Sequence, residues 1–327
     1  MKIAIDAMGG DYAPEETVKG AVSACREFGA EVILVGNEAK IGSVLKNQPV
    51  SGLKLEIQNT TEVIEMGEHP ANAVRKKKDS SLVVANRLVK EGAAAAVISA
   101  GNTGAAMSAS LLVLGRIKGV NRPAIASPMP TNTGVSVLLD AGANADCDPD
   151  NLVQFALMGS IYAEQVFGLP KPRIGLLSIG EEETKGNKLT VETHQLLKQS
   201  GLNFIGNIEG RDVHHGACEV IVCDGFVGNI VLKLSEGLAS ALFGQIKTAL
   251  AKNPITLTGA FLAKSAFKSI KGKMDYTEYG GAPLLGLNGI SMISHGRSNA
   301  KAIKNAIRAA VKAVDEDVVG KIASSLT

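Results

Sequence analysis

Short apolar runs alternate with longer amphipathic segments along almost the whole chain. Runs of strand length lie at 3–5, 32–35, 53–57, 95–99, 135–139, 174–179, 204–208, 220–223 and 290–293. Segments with helical periodicity lie at 15–28, 38–46, 80–91, 103–116, 149–167, 188–200, 229–250 and 298–319. Continuous apolar runs suit strands buried on both faces, and amphipathic segments suit the helices that cover them. The pattern predicts an α/β fold with a mostly parallel sheet and helices on both faces. The proline-containing stretch 122–131 is the expected place for a change to antiparallel strands. Residues 252–280 break the rhythm and are expected as a protruding amphipathic helical insertion facing a membrane or a dimer partner. No Ser/Gly/Pro linker or repeat divides the chain, so 1–327 is expected as one domain.

Composition narrows the classes. Hydrophobic residues make 45% of the chain and charged residues 20%, enough for a substantial core. A net charge of +2 and an aromatic content of 4% give no general affinity for nucleic acid. The 36 glycines sit in discrete turns, which reads as tight strand-to-helix connections. Asp6 interrupts the first apolar run, so no secretory signal is expected. No unbroken run of ~20 apolar residues is visible, so no membrane span is expected. Cys25, Cys147, Cys218 and Cys223 show no CxxC spacing and are expected as reduced thiols of a cytoplasmic protein.

Nucleotide-binding GxGxxG and P-loop motifs, zinc-type HExxH spacing and the GxSxG elbow are all absent. No metal and no cofactor are therefore expected. What recurs is a set of small-residue loops where strands end. The first, after the opening strand, carries Asp6, Gly9, Gly10 and Asp11. SAGNTGA holds Gly101, Asn102, Thr103 and Gly104, with Thr103 as the expected helix cap. LLDAGAN holds Asp140 and Asn144, and CDGFVGN holds Asp224, Gly225 and Asn229. Lys185 lies in the glycine-bounded loop SIGEEETKGN. Each loop taken alone reads equally as an ordinary capped connection, and a lone lysine as a solvated one. Together they suggest one anion site built from several loops, because free N–H groups at helix starts favour negative charge. Asn229 stands at the expected start of a long helix, either as its cap or as a donor to an oxyanion. A Cys–His pair would need more than the sequence proximity of Cys218 to His214 and His215, which read as surface histidines.

Two basic features stand apart. Arg75, Lys76, Lys77 and Lys78 are consecutive, which reads as a solvated helix face or as a patch for an acidic partner. On a helical wheel, 253–274 gathers Leu262, Phe267 and Ile270 on one side and Lys264, Lys268 and Lys271 beside them. That pattern suits a helix on anionic lipid, an oligomer interface or a cover for the core.

The order of IAIDAMGGDYAPE, VRKKKDSSL, SAGNTGA, GRIKGVNRPA, LLDAGAN, KGN at 185–187, CDGFVGN, YGGAPLLGL and SHGRSNAKAI resembles the bacterial phosphate acyltransferases of phospholipid synthesis. The resemblance runs from residue 3 to about 303. It implies a fold of the isocitrate/isopropylmalate-dehydrogenase type, shared with phosphotransacetylases. It implies reversible transfer of a fatty acyl group from acyl carrier protein to inorganic phosphate, giving acyl phosphate. It further implies a homodimer at the inner face of the cell membrane, feeding a membrane-embedded glycerol-phosphate acyltransferase. Under it, Lys185 and Asn229 are the candidate catalytic residues. The Asp6, Gly9–Asp11, Gly101–Gly104, Asp140, Asn144, Asp224 and Gly225 positions shape the phosphate pocket. Arg75 to Lys78 would dock the carrier protein. Phosphotransacetylase chemistry on acyl-coenzyme A, and a non-catalytic membrane scaffold, are the alternatives.

Overall fold

A computed structural model describes residues 1–274 and 278–326, with the side chains of 269, 271, 273 and 274 outside the described residues. The first part runs β1 (Lys2–Asp6), α1 (Glu15–Phe28), β2 (Glu31–Gly36), α2 (Glu38–Leu45), β3 (Leu55–Asn59), α3 (Pro70–Lys76), α4 (Ser81–Lys90), β4 (Ala96–Ser99) and α5 (Thr103–Val113). Next come β5 (Ala124–Ile125), β6 (Ser127–Thr131), β7 (Gly134–Leu139), α6 (Pro149–Phe167), β8 (Ile174–Leu177), α7 (Lys188–Gln199), β9 (Phe204–Ile208) and β10 (Val220–Val222). Three helices follow, α8 (Gly225–Leu250), α9 (Pro254–Leu262) and α10 (Lys264–Met274). The chain closes with β11 (Ala282–Leu285), β12 (Ile290–Ile293), α11 (Ala300–Asp315) and α12 (Val318–Ser325).

The strands form two sheets, where the alternation alone predicts one. The first has the order β3-β2-β1-β4-β12-β11-β5 and the second β6-β7-β10-β8-β9. Pairing is parallel from β3 through β12 and from β7 through β9. It turns antiparallel at β11, β5 and β6. Two of these strands, β5 and β6, lie in the expected stretch 122–131, whereas β11 lies outside it. β5 and β6 are separated by Ala126 alone, so the chain crosses there from one sheet to the other.

Alternation of side chains explains the layers. In the first sheet Ile3, Ile5, Val32, Leu34, Ala96 and Ile98 face α1 and α11. Ala4, Ile33, Val35 and Val97 face α4 on the other side. In the second sheet Val137, Leu139, Leu176 and Val222 pack on Leu152 and Phe155 of α6. Leu138, Leu177 and Ile221 face Val227 and Val231 of α8. One apolar cluster includes residues of both sheets.

Several boundaries differ from those expected. α8 begins at Gly225 rather than 229, capped by Asp224, whose side chain accepts from Val227 N. So extended, α8 is the one helix among the described residues long and apolar enough to cross a membrane by length and composition. Polar residues along it, Asn229, Lys233, Glu236 and Gln245 among them, hide this from a search for unbroken apolar runs. Among the described residues of 252–280, two helices, α9 and α10, meet at Ala263. Short strands β5 and β11 and helix α3 carry too few residues to show a period.

Candidate active site

Parallel pairing of β1, β4 and β12 delivers the loops that follow them to one edge of the first sheet. Asp6 closes β1 and is buried. Its Oδ1 accepts from Ser81 Oγ at 2.6 Å and its Oδ2 from Ser99 Oγ at 2.8 Å. The N–H of Met8 adds a bond at 3.3 Å. Gly101 N donates in turn to Ser99 Oγ at 3.1 Å. A Cβ on Gly9 would collide with the Asp6 carboxylate and stand 2.9 Å from Gly101 N, so the two loops pack backbone to backbone. Asp11 N donates to Gly296 O at 2.8 Å, which ties in the loop after β12. Burial pushes the Asp6 carboxyl above its ordinary value, and the two hydroxyls oppose that push.

The expected cap at Thr103 is instead Asn102, whose Oδ1 accepts from Ala105 N at 3.0 Å. Its Nδ2 donates to Met66 O at 2.8 Å and to Glu68 O at 3.2 Å. Asn102 therefore braces two loops rather than offering a free donor. Ser294, at the end of β12, is buried and its Oγ has no hydrogen-bond partner among the described residues.

The second sheet repeats the arrangement with different chemistry. β7, β10 and β8 are parallel neighbours, so the loops 140–144, 223–229 and 178–187 share one edge. Asp140 is fully buried. Its Oδ1 accepts from the N–H groups of Ile125 (3.0 Å), Gly142 (3.2 Å) and Ala143 (2.9 Å). Its Oδ2 accepts from Asn144 N at 2.6 Å and Asn144 Nδ2 at 2.9 Å. Burial raises the carboxyl of Asp140 above its ordinary value against these donors. Asn144 Nδ2 also donates to Pro123 O at 2.8 Å, so this amide is a brace and its donors are committed.

The start of α8 lies directly on this loop. Gly225 N donates to Asn144 O at 2.8 Å, and a Cβ on Gly225 would stand 2.7 Å from that oxygen. A Cβ on Gly228 would collide with the carbonyl of Asp140, so only glycine permits the approach. Asp224 serves as the helix cap, with its Oδ1 accepting from Val227 N at 2.9 Å. Asn229 is thus not a cap. It sits in the second turn, exposed, beside Gly142 of the Asp140 loop.

Lys185 lies in a turn closed by Lys185 N donating to Glu182 O at 3.0 Å. Ser178 Oγ donates to Lys185 O at 3.0 Å. The lysine side chain is exposed and its ammonium has no carboxylate partner among the described residues. Two of the neighbouring acids are engaged elsewhere, Glu181 with Arg211 at 3.2 Å and Glu183 with Lys198 at 2.7 Å. Asp140, Asn144, Asp224, Gly225 and Asn229 thus form one contact cluster, while Lys185 shares its sheet edge without a hydrogen bond to Asn229 among the described residues. The amides of Gly142, Ala143, Asn144, Gly225 and Val227 are engaged within the cluster, so the exposed amide of Asn229 and an ammonium with no carboxylate partner among the described residues are the groups that can hold an anion and stabilise new negative charge.

Other expected features fall differently. Lys77 pairs with Glu68 and donates to Val63 O at 2.7 Å, which removes it from the basic patch. Arg75, Lys76 and Lys78 remain exposed. His214 is half-buried rather than a surface group, at 2.9 Å from both Pro130 O and Ser235 Oγ. Burial pushes the Cys147 thiol up to about 11 and Cys218 up to about 12, which disfavours the thiolate. Leu262 is 77% exposed on α9, and Ile270, Lys264 and Lys268 are exposed on α10 with Phe267 half-buried. The side chain of Lys271 lies outside the described residues. Ser81, Ser99 and Ser294 were not singled out by sequence. Ser81 sits 75 residues from the carboxylate it serves, and only the pairing of strands reveals the contact.

A family model described as "Fatty acid synthesis protein" matches residues 1–321. A protein named phosphate acyltransferase from Pelotomaculum thermopropionicum is 56% identical over 326 residues, covering 100% of this chain and 95% of that one. Another of that name from Desulfitobacterium hafniense is 57% identical over 327 residues, covering 100% and 98%. Among solved structures, a phosphotransacetylase from Streptococcus pyogenes superposes with a TM-score of 0.66 at 19% identity, covering 96% of this chain and 94% of that one. The last likeness concerns the fold alone.

Proposed function

The chain belongs to the phosphate acyltransferase family, an acyl-transferring enzyme that uses phosphate, and on that premise we propose that its acyl donor is a fatty thioester of acyl carrier protein. A phosphate oxygen attacks the thioester carbonyl, the carbon becomes tetrahedral, and its oxygen takes up negative charge. Collapse breaks the C–S bond and releases acyl phosphate and the thiolate, which takes a proton from solvent. A thiol has an ordinary pKa of about 8.5 and leaves readily, so the reaction asks little of a general acid. It asks for an oriented anion and for stabilisation of developing charge.

The observation that carries this reading is the presence at one sheet edge of a lysine with no carboxylate partner among the described residues and of an exposed amide. Lys185 holds the phosphate and its charge, and Asn229 donates to the oxyanion or to phosphate. Asp6 and Asp140 act on the loops rather than on substrate, since bare carboxylates would repel phosphate. The carrier protein is acidic, and Arg75, Lys76 and Lys78 supply the complementary charge. Charge reversal at these three positions raises the KM for the carrier substrate and leaves that for phosphate unchanged; equal effects on both would remove the docking role.

Outside the site, the same reading makes the protein a homodimer of single-domain protomers, attached peripherally to the inner face of the cell membrane. Ile255, Leu257, Phe261 and Leu262 are exposed on α9, with Lys264 and Lys268 following on α10. Such a surface suits anionic lipid. It would release acyl phosphate beside a membrane-embedded glycerol-phosphate acyltransferase.

The test is incubation with palmitoyl-acyl carrier protein, with and without inorganic phosphate, and trapping of product with hydroxylamine. Phosphate-dependent hydroxamate with release of free carrier is the expected result. Product from palmitoyl-coenzyme A alone would replace the carrier protein as donor.

A further inference from the structure

The turn that carries Lys185 rests on a buried polar pair that the reaction described above does not use. His194 lies on α7 and Asn207 on β9, and they are 3% and 7% exposed. His194 Nδ1 and Asn207 Oδ1 are 2.8 Å apart. Asn207 Nδ2 donates to the carbonyl of Glu182 at 2.8 Å. That carbonyl also accepts the backbone N–H of Lys185 at 3.0 Å. One oxygen thus closes the Lys185 turn and fastens it to the sheet beneath.

The chemistry of the partners fixes the arrangement. A carbonyl only accepts, so the amide NH2 of Asn207 faces Glu182 and its oxygen faces the imidazole. That oxygen also only accepts, so Nδ1 of His194 carries a hydrogen. Nε2 faces the carboxylate of Glu183 at 3.8 Å, and Lys198 holds the same carboxylate at 2.7 Å. The edge of Phe204 packs on the imidazole with ring centroids 5.0 Å apart, which confines the ring. Burying an imidazole and an amide is costly unless both are satisfied, and an apolar pair would fill the same space without that cost. Here the polar pair leads to the Lys185 loop, through Asn207 Nδ2 to the Glu182 carbonyl and through His194 Nε2 toward Glu183.

We infer that His194 and Asn207 are positioning residues that hold the Lys185 turn in place and so set the enzyme's affinity for phosphate. The inference rests on the reading of Lys185 as the phosphate ligand. The experiment is steady-state kinetics of acyl phosphate formation on the full chain, varying phosphate and acyl donor separately.

Asn207→Leu should raise the phosphate KM about five-fold, the worth of one neutral hydrogen bond, and leave the donor KM unchanged. His194→Phe should act in the same direction. His194→Asn, which keeps an N–H donor near the place of Nδ1, should recover most of the loss. In a Lys185→Ala background, Asn207→Leu should add nothing further. An unchanged phosphate KM in folded Asn207→Leu overturns the inference, as does an equal effect in the Lys185→Ala background. If Asn207→Leu does not fold, the contrast between His194→Phe and His194→Asn decides the matter, and equal phosphate KM values for those two overturn it. A Lys185→Ala enzyme with unchanged phosphate KM instead overturns the underlying reading of Lys185, and the inference falls with it.

Discussion

Asp6 and Asp140 occupy the same place in two sheets, yet they are satisfied in opposite ways. Both stand at the end of a buried strand, and burial raises both carboxyls. Asp6 takes its shortest bonds from two hydroxyls, Ser81 and Ser99. Asp140 takes five bonds, all from N–H groups, of Ile125, Gly142, Ala143 and Asn144. A hydroxyl can turn round and accept, whereas a backbone N–H can only donate. The first cluster is therefore adaptable and closed on itself. The second is rigid and shapes the edge where Lys185 and Asn229 stand exposed. The comparison teaches that similar sequence signals, an aspartate followed by glycines after a strand, serve two different tasks.

Exchange of an acceptor for a donor separates the two most sharply. Asp140→Asn puts an NH2 among groups that only donate, and should cost about 3 kcal/mol of stability in chemical denaturation, with loss of activity. A cost equal to that of Asp6→Asn would erase the distinction. Asn229→Ala should lower kcat about 10-fold or more while the thermal midpoint stays put, as expected for a lost charge-stabilising donor. A shifted midpoint with unchanged kcat would return Asn229 to a structural role. Asp6→Asn should cost only ~1 kcal/mol, because Ser81 and Ser99 can reorient. The smallest effect is in the pH dependence. A carboxyl raised in the folded state above 3.8 stabilises fully below that value and loses its contribution as pH rises through the folded value. The stability deficit of Asp6→Asn relative to the natural protein should therefore shrink as pH climbs above 3.8. A deficit that grows over that range would mean that the hydroxyls outweigh burial.

Alternation of apolar runs was enough to read the α/β class and nearly every long element, because burial on both sheet faces leaves a continuous apolar signature. The division into two sheets was not legible, since the chain crosses between them at Ala126, between the two-residue β5 and β6. The loops of the candidate site were legible as glycine-rich strand ends. Their internal roles were not. Asn102 and Asn144 look like free donors in sequence, but Met66, Glu68 and Pro123 consume their amides through contacts 21 to 36 residues away. Asn229 looks like a helix cap because the helical period fades in the glycine-rich turn at 225–228. The cap is Asp224, and the glycines are there to let α8 touch the Asp140 loop. Lys77 looks like its three neighbours, and only the fold brings Glu68 to it.

The central claim is that the edge of the second sheet holds phosphate through Lys185. It is tested most directly by phosphate saturation of acyl phosphate formation in Lys185→Ala, beside Lys188→Ala as a neighbour that is also exposed. Lys185→Ala should lower kcat/KM for phosphate about 100-fold. Lys188→Ala should stay within about twofold of the natural protein, as expected for a solvated surface charge. Equal, small effects of the two substitutions would contradict the account and move the phosphate site away from this edge.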